Sequence, residues 1–553
     1  MPPKTAPASA GINKIQTPIT EDMRVAVIAP LPIEFLAVIR SSTEFTRPLE
    51  CQSPSAVKLT KIKNKIERKT IEFIIAHQES LVQKYMGSEM ELVGKGIMDQ
   101  IEKRKIAPIR PPVVLSIAGS DSGGGAGIQA DLKTMESLGV FSTCAITAIT
   151  AQNTVGVDSF MPIPVMEVKS QIDSVLSDFE IGAAKTGMLA NIQNIEMIAN
   201  LSEDFEFPLV VDPVMIATSG DRLLERGAEK AYEKLIKNSQ IVTPNADEAE
   251  VLASMEIKNA SDAIDAGDRI LKMGTENVLI KGGHIEEKMV VDVLVTKKGN
   301  FQIEHNWIDS DITHGSGCTL SSAIAANLAK GETIENAVYQ SISFIERALR
   351  YPIDVGKGPG TVHHLVEVRE MAERQLVVQT IRSTILDLVQ LGIRPLVPEV
   401  GMNIVGSTSY AESVEEMAGI EGRITKTSTG VSIGDGVVFG ASSHVARFLK
   451  EAREYYPHLR FAMNCKFDEK IELAIKKIGW EMGEYNRMDQ GKFIRETEDN
   501  TMGWGARKIF GGSDSLVTRV IDRGANGKEP MLKLVFTDSK VLISEVEKLL
   551  KNI

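Results

Sequence analysis

Between residues 113 and 281 the chain alternates short apolar runs with amphipathic stretches, and this alternation predicts its main architecture. Runs at 113–117, 143–150, 181–185, 209–212, 240–243 and 278–281 are short and bounded by turn residues, so they read as buried strands. Stretches between them, such as 129–138 and 229–237, are helical in pattern. Strand and helix in turn predict an α/β fold: a mostly parallel sheet with helices on both faces. Gly356-Lys357-Gly358-Pro359-Gly360 closes this region, taken as 111–365, and a second α/β region, 366–553, comes after it. Upstream the pattern is weaker. Residues 1–22, rich in Pro, Ala, Thr and Ser, are expected to be disordered. Residues 23–110 read as mostly helical after a short strand at 24–28, with no assignable role, and Met98 is a natural start for the region 111–365.

Composition narrows the function classes. At 553 residues the chain exceeds what one core supports, so at least two domains are expected. Apolar residues at 43% and charged residues at 25% are ordinary globular values, and a net charge of -12 argues against nucleic acid as partner. Cys51, Cys144, Cys318 and Cys465 are far apart, without a CxxC pair, which speaks against a zinc site or disulfide framework. The apolar stretch 26–39 is interrupted by Pro30, Pro32 and Glu34 and is too short to span a bilayer. A cytoplasmic homo-oligomer acting on small molecules, without membrane or nucleic-acid partners, is the expectation.

The chemistry concentrates in glycine-rich turns. Thr313-His314-Gly315-Ser316-Gly317-Cys318-Thr319 opens a helical run. The first amides of a helix lack intrahelical acceptors and attract phosphoryl oxygens, so Gly315, Ser316, Gly317 and Cys318 form a candidate anion hole. The same field should lower the pKa of Cys318 and make it a usable base. Residues 125–130 formally fit G-x-G-x-x-A, but the acid that a dinucleotide fold needs about 20 residues later is absent. A Walker A sequence is absent too. A kinase that holds ATP without a P-loop remains. Asn245 and Glu248 follow one strand, where Glu248 suits Mg²⁺ held through water, and Lys281 follows another, where an ammonium would meet phosphates.

In order, Ala118-Gly119-Ser120-Asp121, Gly124 to Asp131, Ala151-Gln152-Asn153-Thr154, Lys185-Thr186-Gly187-Met188-Leu189, Asp212-Pro213-Val214-Met215 and the HGSGCT turn resemble the hydroxymethylpyrimidine (phosphomethylpyrimidine) kinase family, a branch of the ribokinase-like fold. The family usually has Thr at Ser316, a change that keeps the hydroxyl. The resemblance implies a pyrimidine pocket of Gly119, Asp131, Gln152, Met188 and Val214, with Cys318 as the catalytic residue beneath the hydroxymethyl group. It also implies phosphorylation of hydroxymethylpyrimidine and then of its monophosphate, with ATP and Mg²⁺.

Beyond residue 370 the motifs change. Pro398-Glu399-Val400-Gly401-Met402-Asn403, Gly422-Arg423-Ile424, Ser442-Ser443-His444 and Asp522 to Met531 resemble the ThiN-type thiamine-phosphate synthase domain. That resemblance implies a three-layer α/β/α unit with a mixed sheet. Its chemistry joins hydroxymethylpyrimidine pyrophosphate to thiazole phosphate, with Arg423 and His444 in catalytic positions. Asn403, Asn464, Lys466 and Lys528 are candidates for phosphate contact. Lys466 stands where the family usually has Arg, which keeps the charge and loses the planar fork. The alternative is a C-terminal domain that senses thiamine phosphate without catalysis.

Overall fold

Strands β1 (Val113–Ser120), β2 (Phe141–Gln152), β3 (Val157–Pro162), β4 (Ile181–Thr186), β5 (Leu209–Val211), β6 (Ile241–Val242), β7 (Asn277–Ile280), β8 (Val290–Thr296) and β9 (Gly299–His305) form one sheet in the order β3-β2-β1-β4-β5-β6-β7-β8-β9. The computed structural model describes residues 108–215, 229–284, 289–305, 307–308, 310–489, 500–512, 516–525 and 527–553. The expected N-terminal disorder, the strand at 24–28 and nearly all of the segment 23–110 lie outside the described residues.

The six strands expected from the sequence pair in parallel, and three antiparallel strands, β3, β8 and β9, close the two edges. Side chains alternate across the sheet as strand geometry demands. Leu115, Ile117, Leu209, Val211, Val278 and Ile280 face a core shared with helices α2 (Val165–Leu176), α3 (Ile192–Leu201), α4 (Glu229–Lys237), α5 (Ala246–Ala253) and α6 (Ala260–Leu271). Their neighbours Val114, Val210 and Leu279 face the other way, onto α1 (Gly127–Ser137), α7 (Ser316–Ala329) and α8 (Ile334–Arg350). Both faces are covered, which is why the central strands read as continuous apolar runs. Three strands stop one residue earlier than their apolar pattern: Asp212, Thr243 and Lys281 lie just past the ends of β5, β6 and β7. Their side chains are thereby delivered to the carboxyl edge of the sheet.

Helix α9 (Val366–Gln390) belongs to both halves. Val366 packs in the core of the first sheet, whereas Val377, Ile381, Ile385 and Leu388 pack in the core of the second. The second sheet contains β10 (Ile404–Ser407), β11 (Met417–Glu421), β14 (Gly436–Phe439), β15 (Phe461–Lys466), β16 (Gly483–Tyr485), β17 (Arg519–Asp522) and β18 (Met531–Phe536), in the order β14-β11-β10-β15-β18-β17-β16. A small hairpin of β12 (Thr425–Lys426) and β13 (Val431–Ser432) stands beside it. Only β16 and β17 run parallel, so the sheet is mixed. Helices α9, α11 (Glu469–Ile478) and α13 (Ser539–Leu550) cover one face, and α10 (Ser443–Tyr455) and α12 (Asn500–Phe510) the other, giving the three-layer unit expected.

An ion network ties the halves together. Arg347 on α8 pairs with Glu370 on α9 and with Glu416 (3.3 Å), and donates to the Tyr410 carbonyl (3.2 Å). Arg350 reaches Glu412 at 2.8 Å, and the Tyr351 and Tyr410 rings meet edge to face at 5.4 Å. No helix among the described residues is long and apolar enough to cross a membrane.

Candidate functional site

Two glycine-rich loops meet at the carboxyl edge of the first sheet. Asp121, after β1, accepts hydrogen bonds from the amides of Gly123 (2.7 Å), Gly125 (2.9 Å) and Ala126 (2.8 Å), which folds 121–126 into a tight loop. Burial works to raise the Asp121 pKa, but His314 at 3.3 Å and the loop amides outweigh it and hold it low. Thr361 Oγ1 donates to the carbonyls of Gly125 and His314, both at 3.2 Å. Gly315 takes φ +85°, and a Cβ there would lie 1.9 Å from the Gly125 carbonyl oxygen, so no other residue fits.

Helix α7 starts immediately after Gly315. The Ser316 amide donates to the Thr313 carbonyl (3.1 Å), which removes it from the expected anion hole; the Gly317 and Cys318 amides stand at the helix opening. A Cβ on Gly317 would lie 3.5 Å from Lys281 Nζ and 3.8 Å from an Asp212 carboxylate oxygen. Lys281 in turn lies 3.2 Å from Asp212 and 3.9 Å from Glu248. Thr243 (3.3 Å) and Ser321 (3.2 Å) also donate to Asp212. Asn245 and Glu248 form a reciprocal cap on α5, and burial, partly offset by Lys281, pushes the Glu248 pKa up to about 7.

Cys318 corrects an expectation. Its thiol is pushed up to about 11, not down: burial dominates, Lys185 offsets part of it, and Asp131 and Asp212 add to the rise. The Gly127 amide acts in the predicted direction but is outweighed. Asp131 is also not a pocket wall. It has no exposed surface and accepts from Ser116 (2.6 Å), Lys185 (2.8 Å) and Ser322 (2.7 Å), so its place is under the site, holding Lys185. Gly119, Met188 and Val214 do converge: a Cβ on Gly119 would touch Met188 Sδ at 2.9 Å, and Val214 packs against Met188. Gln152, at the end of β2, accepts from Thr150 Oγ1 at 3.2 Å, which orients its amide.

The second sheet carries a cavity of about 320 Å³. Arg423 and Lys528 line it with His444 and Ser443 from the N-terminal turn of α10. Arg423 donates to the Val400 carbonyl, and its aliphatic arm lies over Gly401, where a Cβ would meet Cδ at 2.8 Å. Asn403 and Asn464 line the cavity, yet their amides are committed to backbone. Asn403 bridges Ile420 and Gly422, and Asn464 bridges Asn403 and Gly401, so both build the floor and neither is placed as a phosphate ligand. Lys466 is outside the cavity lining and pairs with Asp468 at 2.7 Å, which removes it from the expected phosphate contacts.

The family model for phosphomethylpyrimidine kinase matches residues 121–363, and that for thiamine-phosphate synthase ThiN matches 382–548. The hydroxymethylpyrimidine/phosphomethylpyrimidine kinase of Haemophilus influenzae is 44% identical over 257 residues, covering 45% of this chain and 96% of the relative. The chain belongs to this kinase family. The Bacillus subtilis enzyme of the same name is 44% identical over 253 residues, with 45% of this chain and 93% of the relative covered. A solved ADP complex of Bacillus subtilis pyridoxal kinase is 33% identical, covers 47% of this chain and 99% of that one, and has a TM-score of 0.45. Behind the kinase region the chain carries a ThiN-type thiamine-phosphate synthase domain, so it is a fusion of two thiamine-biosynthetic units. Membership in the kinase family implies ATP as the phosphoryl donor.

Lys185, Asp212 and His314 stand in the kinase motifs and Thr243 ends an expected strand, but none was expected to have a role of its own; Arg487 and Lys533, in the cavity of the second half, lie outside the quoted motifs. Asp212, Lys185, Thr243 and Lys533 acquire their places through strand order. One signal was present: Lys185 and Lys533 lie inside the apolar strands β4 and β18 and are almost wholly buried, a position lysine occupies only with a partner.

Proposed function

We propose that the first domain phosphorylates 4-amino-5-hydroxymethyl-2-methylpyrimidine and then its monophosphate. The second would couple the resulting pyrophosphate to thiazole phosphate, giving thiamine monophosphate. The observation that carries the reading is the convergence of the Met188 pocket, Cys318 and the Lys281–Asp212–Glu248 cluster on the open end of α7.

The residues present fit Mg²⁺ and ATP: two carboxylates share one lysine, and Gly317 leaves room next to Lys281 and Asp212. Asp212 and Glu248 would hold the metal, largely through water, and Lys281 would meet the phosphates. Bound there, Mg²⁺ neutralises charge on the phosphates. The Gly317 and Cys318 amides stabilise charge on the transferred group as the pyrimidine hydroxyl attacks. A thiol with a pKa of about 11 is protonated at neutral pH and cannot take a second proton, so Cys318 chiefly orients the hydroxyl. Only its small thiolate fraction acts as base, accepting the hydroxyl proton late, as the new O–P bond forms and the bond to the departing ADP oxygen breaks. Lys185 stays charged beneath it, because burial, which works to lower its pKa, is outweighed by Asp131 together with Cys318 and Asp212, and its charge favours the thiolate.

In the second domain Arg423 takes the leaving pyrophosphate with its planar fork, and His444 assists departure from the first turn of α10. Incubation with ATP, Mg²⁺, hydroxymethylpyrimidine and thiazole phosphate should yield thiamine monophosphate. Pyrimidine pyrophosphate accumulating without coupling would leave the kinase reading standing and refute the second half.

A further inference from the structure

A methionine braced by two asparagines lies in the floor of the cavity in the second sheet, where neither Arg423 nor His444 accounts for it. Asn464 on β15 and Met531 on the adjacent strand β18 both line the cavity. Asn464 Nδ2 donates to the Met531 sulfur at 3.7 Å and to the Gly401 carbonyl at 3.1 Å, and its Oδ1 accepts from the Asn403 amide at 2.7 Å. Asn403 is held in turn by Ile420, whose carbonyl accepts from its Nδ2 and whose amide donates to its Oδ1, both at 3.0 Å. The two carboxamides therefore contribute a rigid floor, with the half-buried Met531 thioether fixed beside it.

Gly401 connects this floor to the leaving-group end of the cavity. The aliphatic arm of Arg423 lies over Gly401, while the Gly401 carbonyl holds Asn464 and through it Met531. Met531 is thus reached from Arg423 through two residues. Across the floor, Gly419 on β11 lets the start of α10 settle onto Asn403: a Cβ there would meet Ser442 Cβ at 3.0 Å and Asn403 Oδ1 at 3.4 Å. The space left, about 320 Å³, has guanidinium and imidazole on one wall and Met531, Met463 and Phe448 among its apolar lining. Small-molecule sites combine an apolar lining with a few polar groups in this way.

The chemistry of coupling then decides what rests on the methionine. The bond that breaks joins the exocyclic methylene of the pyrimidine to a pyrophosphate oxygen, so ring and leaving group are tethered by one carbon until it opens. With the pyrophosphate in the fork of Arg423, the aminopyrimidine ring lies beside it in the same cavity; the thiazole phosphate is a separate molecule with no such tether. A thioether is a polarizable, apolar partner for an aromatic ring. We infer that Met531, braced by Asn464, is the seat of the aminopyrimidine ring and so a specificity-determining residue for the heterocycle that is transferred. The inference rests on the coupling reading of this domain and deepens it by naming the residue that recognises the ring.

The test uses full-length protein. In Met531→Ala, the KM of pyrimidine pyrophosphate for thiamine phosphate formation should rise about 5-fold or more, the scale of a lost thioether–aromatic contact. The KM of thiazole phosphate and the rate of pyrimidine phosphorylation should stay within twofold of wild type. Met531→Leu, which keeps the apolar volume, should recover most of the loss. A pyrimidine pyrophosphate KM within twofold of wild type, or a thiazole phosphate KM that moves as far, overturns the seat. If Met531→Ala does not fold, Met531→Gln, unbranched and polar, is titrated beside wild type with pyrimidine pyrophosphate in saturating ADP. The kinase site is the same in both proteins, so a difference between the isotherms arises in the second domain. Weaker binding by the variant supports the seat, and equal binding overturns it. Wild-type protein that makes no thiamine phosphate would refute the coupling reading separately, because the titration does not depend on turnover.

Discussion

Cys318 offers a measurement that separates two accounts of the kinase step. A thiol at a helix N-terminus is ordinarily activated, but here burial and the carboxylates of Asp131 and Asp212 push it up to about 11. At pH 7.5 a free cysteine of pKa about 8.5 is roughly 9% thiolate, whereas a group of pKa about 11 is roughly 0.03% thiolate, about 300-fold less. The more basic thiolate is intrinsically more nucleophilic by about 10-fold over that interval, taking a Brønsted slope of about 0.4. Alkylation of Cys318 by iodoacetamide should therefore run about 30-fold slower than that of glutathione. The assay is peptide-resolved mass spectrometry, because Cys51, Cys144 and Cys465 are also present. Restricted access would also slow the reaction, so the pH profile is the decisive readout: the rate should climb about tenfold per pH unit from 7 to 9.5 without a plateau. A rate that levels off near pH 7 would mean a preformed thiolate, and the late-proton account of Cys318 would be wrong.

Three substitutions test the rest. Gly315→Ala places a Cβ against the Gly125 carbonyl, so pyrimidine phosphorylation should fall at least about 10²-fold, the scale of losing an oxyanion donor, while coupling of supplied pyrimidine pyrophosphate survives. Arg423→Lys keeps the charge and removes the fork, so kcat for coupling should drop by about 10²-fold with an unchanged melt and unchanged kinase rate; normal coupling would favour the sensing alternative. Arg347→Ala leaves the buried Glu370 with only Arg374 at 3.7 Å and releases Glu416, so it should cost about 1–2 kcal/mol, discounted for partial exposure of the pair, with one melting transition separating into two; a single unshifted melt would refute the network as a tie.

Much of this was legible in the sequence where the requirement is local. The turn at His314 to Cys318 shows itself because only glycine tolerates φ +85° against a neighbouring carbonyl, so the chemistry writes its own residue type. The parallel strands show themselves because a strand covered on both faces is apolar at every position. Edge strands β3 and β9 did not, since exposure dilutes their pattern; five of the six residues of β3 and five of the seven of β9 are exposed. The sign of the Cys318 shift was misread for a related reason. The helix start, from which lowering was expected, is adjacent in sequence, whereas Asp131 and Asp212, which raise it, lie 187 and 106 positions away and meet it only through the fold.

Both domains use the same device for holding charge under a site, and that device has a readable trace. In the first, Lys185 lies one residue before the end of the strand Ile181–Thr186, after an apolar run, and finds Asp131 on a neighbouring helix. In the second, Lys533 lies in the run Met531-Leu532-Lys533-Leu534-Val535-Phe536 and finds Asp522 on the adjacent strand. The stem of a lysine in such a run is buried by the helices packed on that face of the sheet. Its charge must then be balanced from within the fold, and the balancing carboxylate is fixed by strand order. The two pairs differ in how far the balance goes. Asp131 faces Lys185 with hydroxyls from Ser116 and Ser322, neutral donors that leave the pair closed and its lysine firmly protonated. Asp522 serves Lys533 and Arg487 together, and burial, with Arg487 adding to it, pushes the Lys533 pKa down to about 8 against the pull of Asp522. The closed pair is a fixed support beneath a reacting group, whereas the shared carboxylate leaves its lysine nearer to titration, which is the physical difference between the floor of the kinase site and the floor of the synthase cavity.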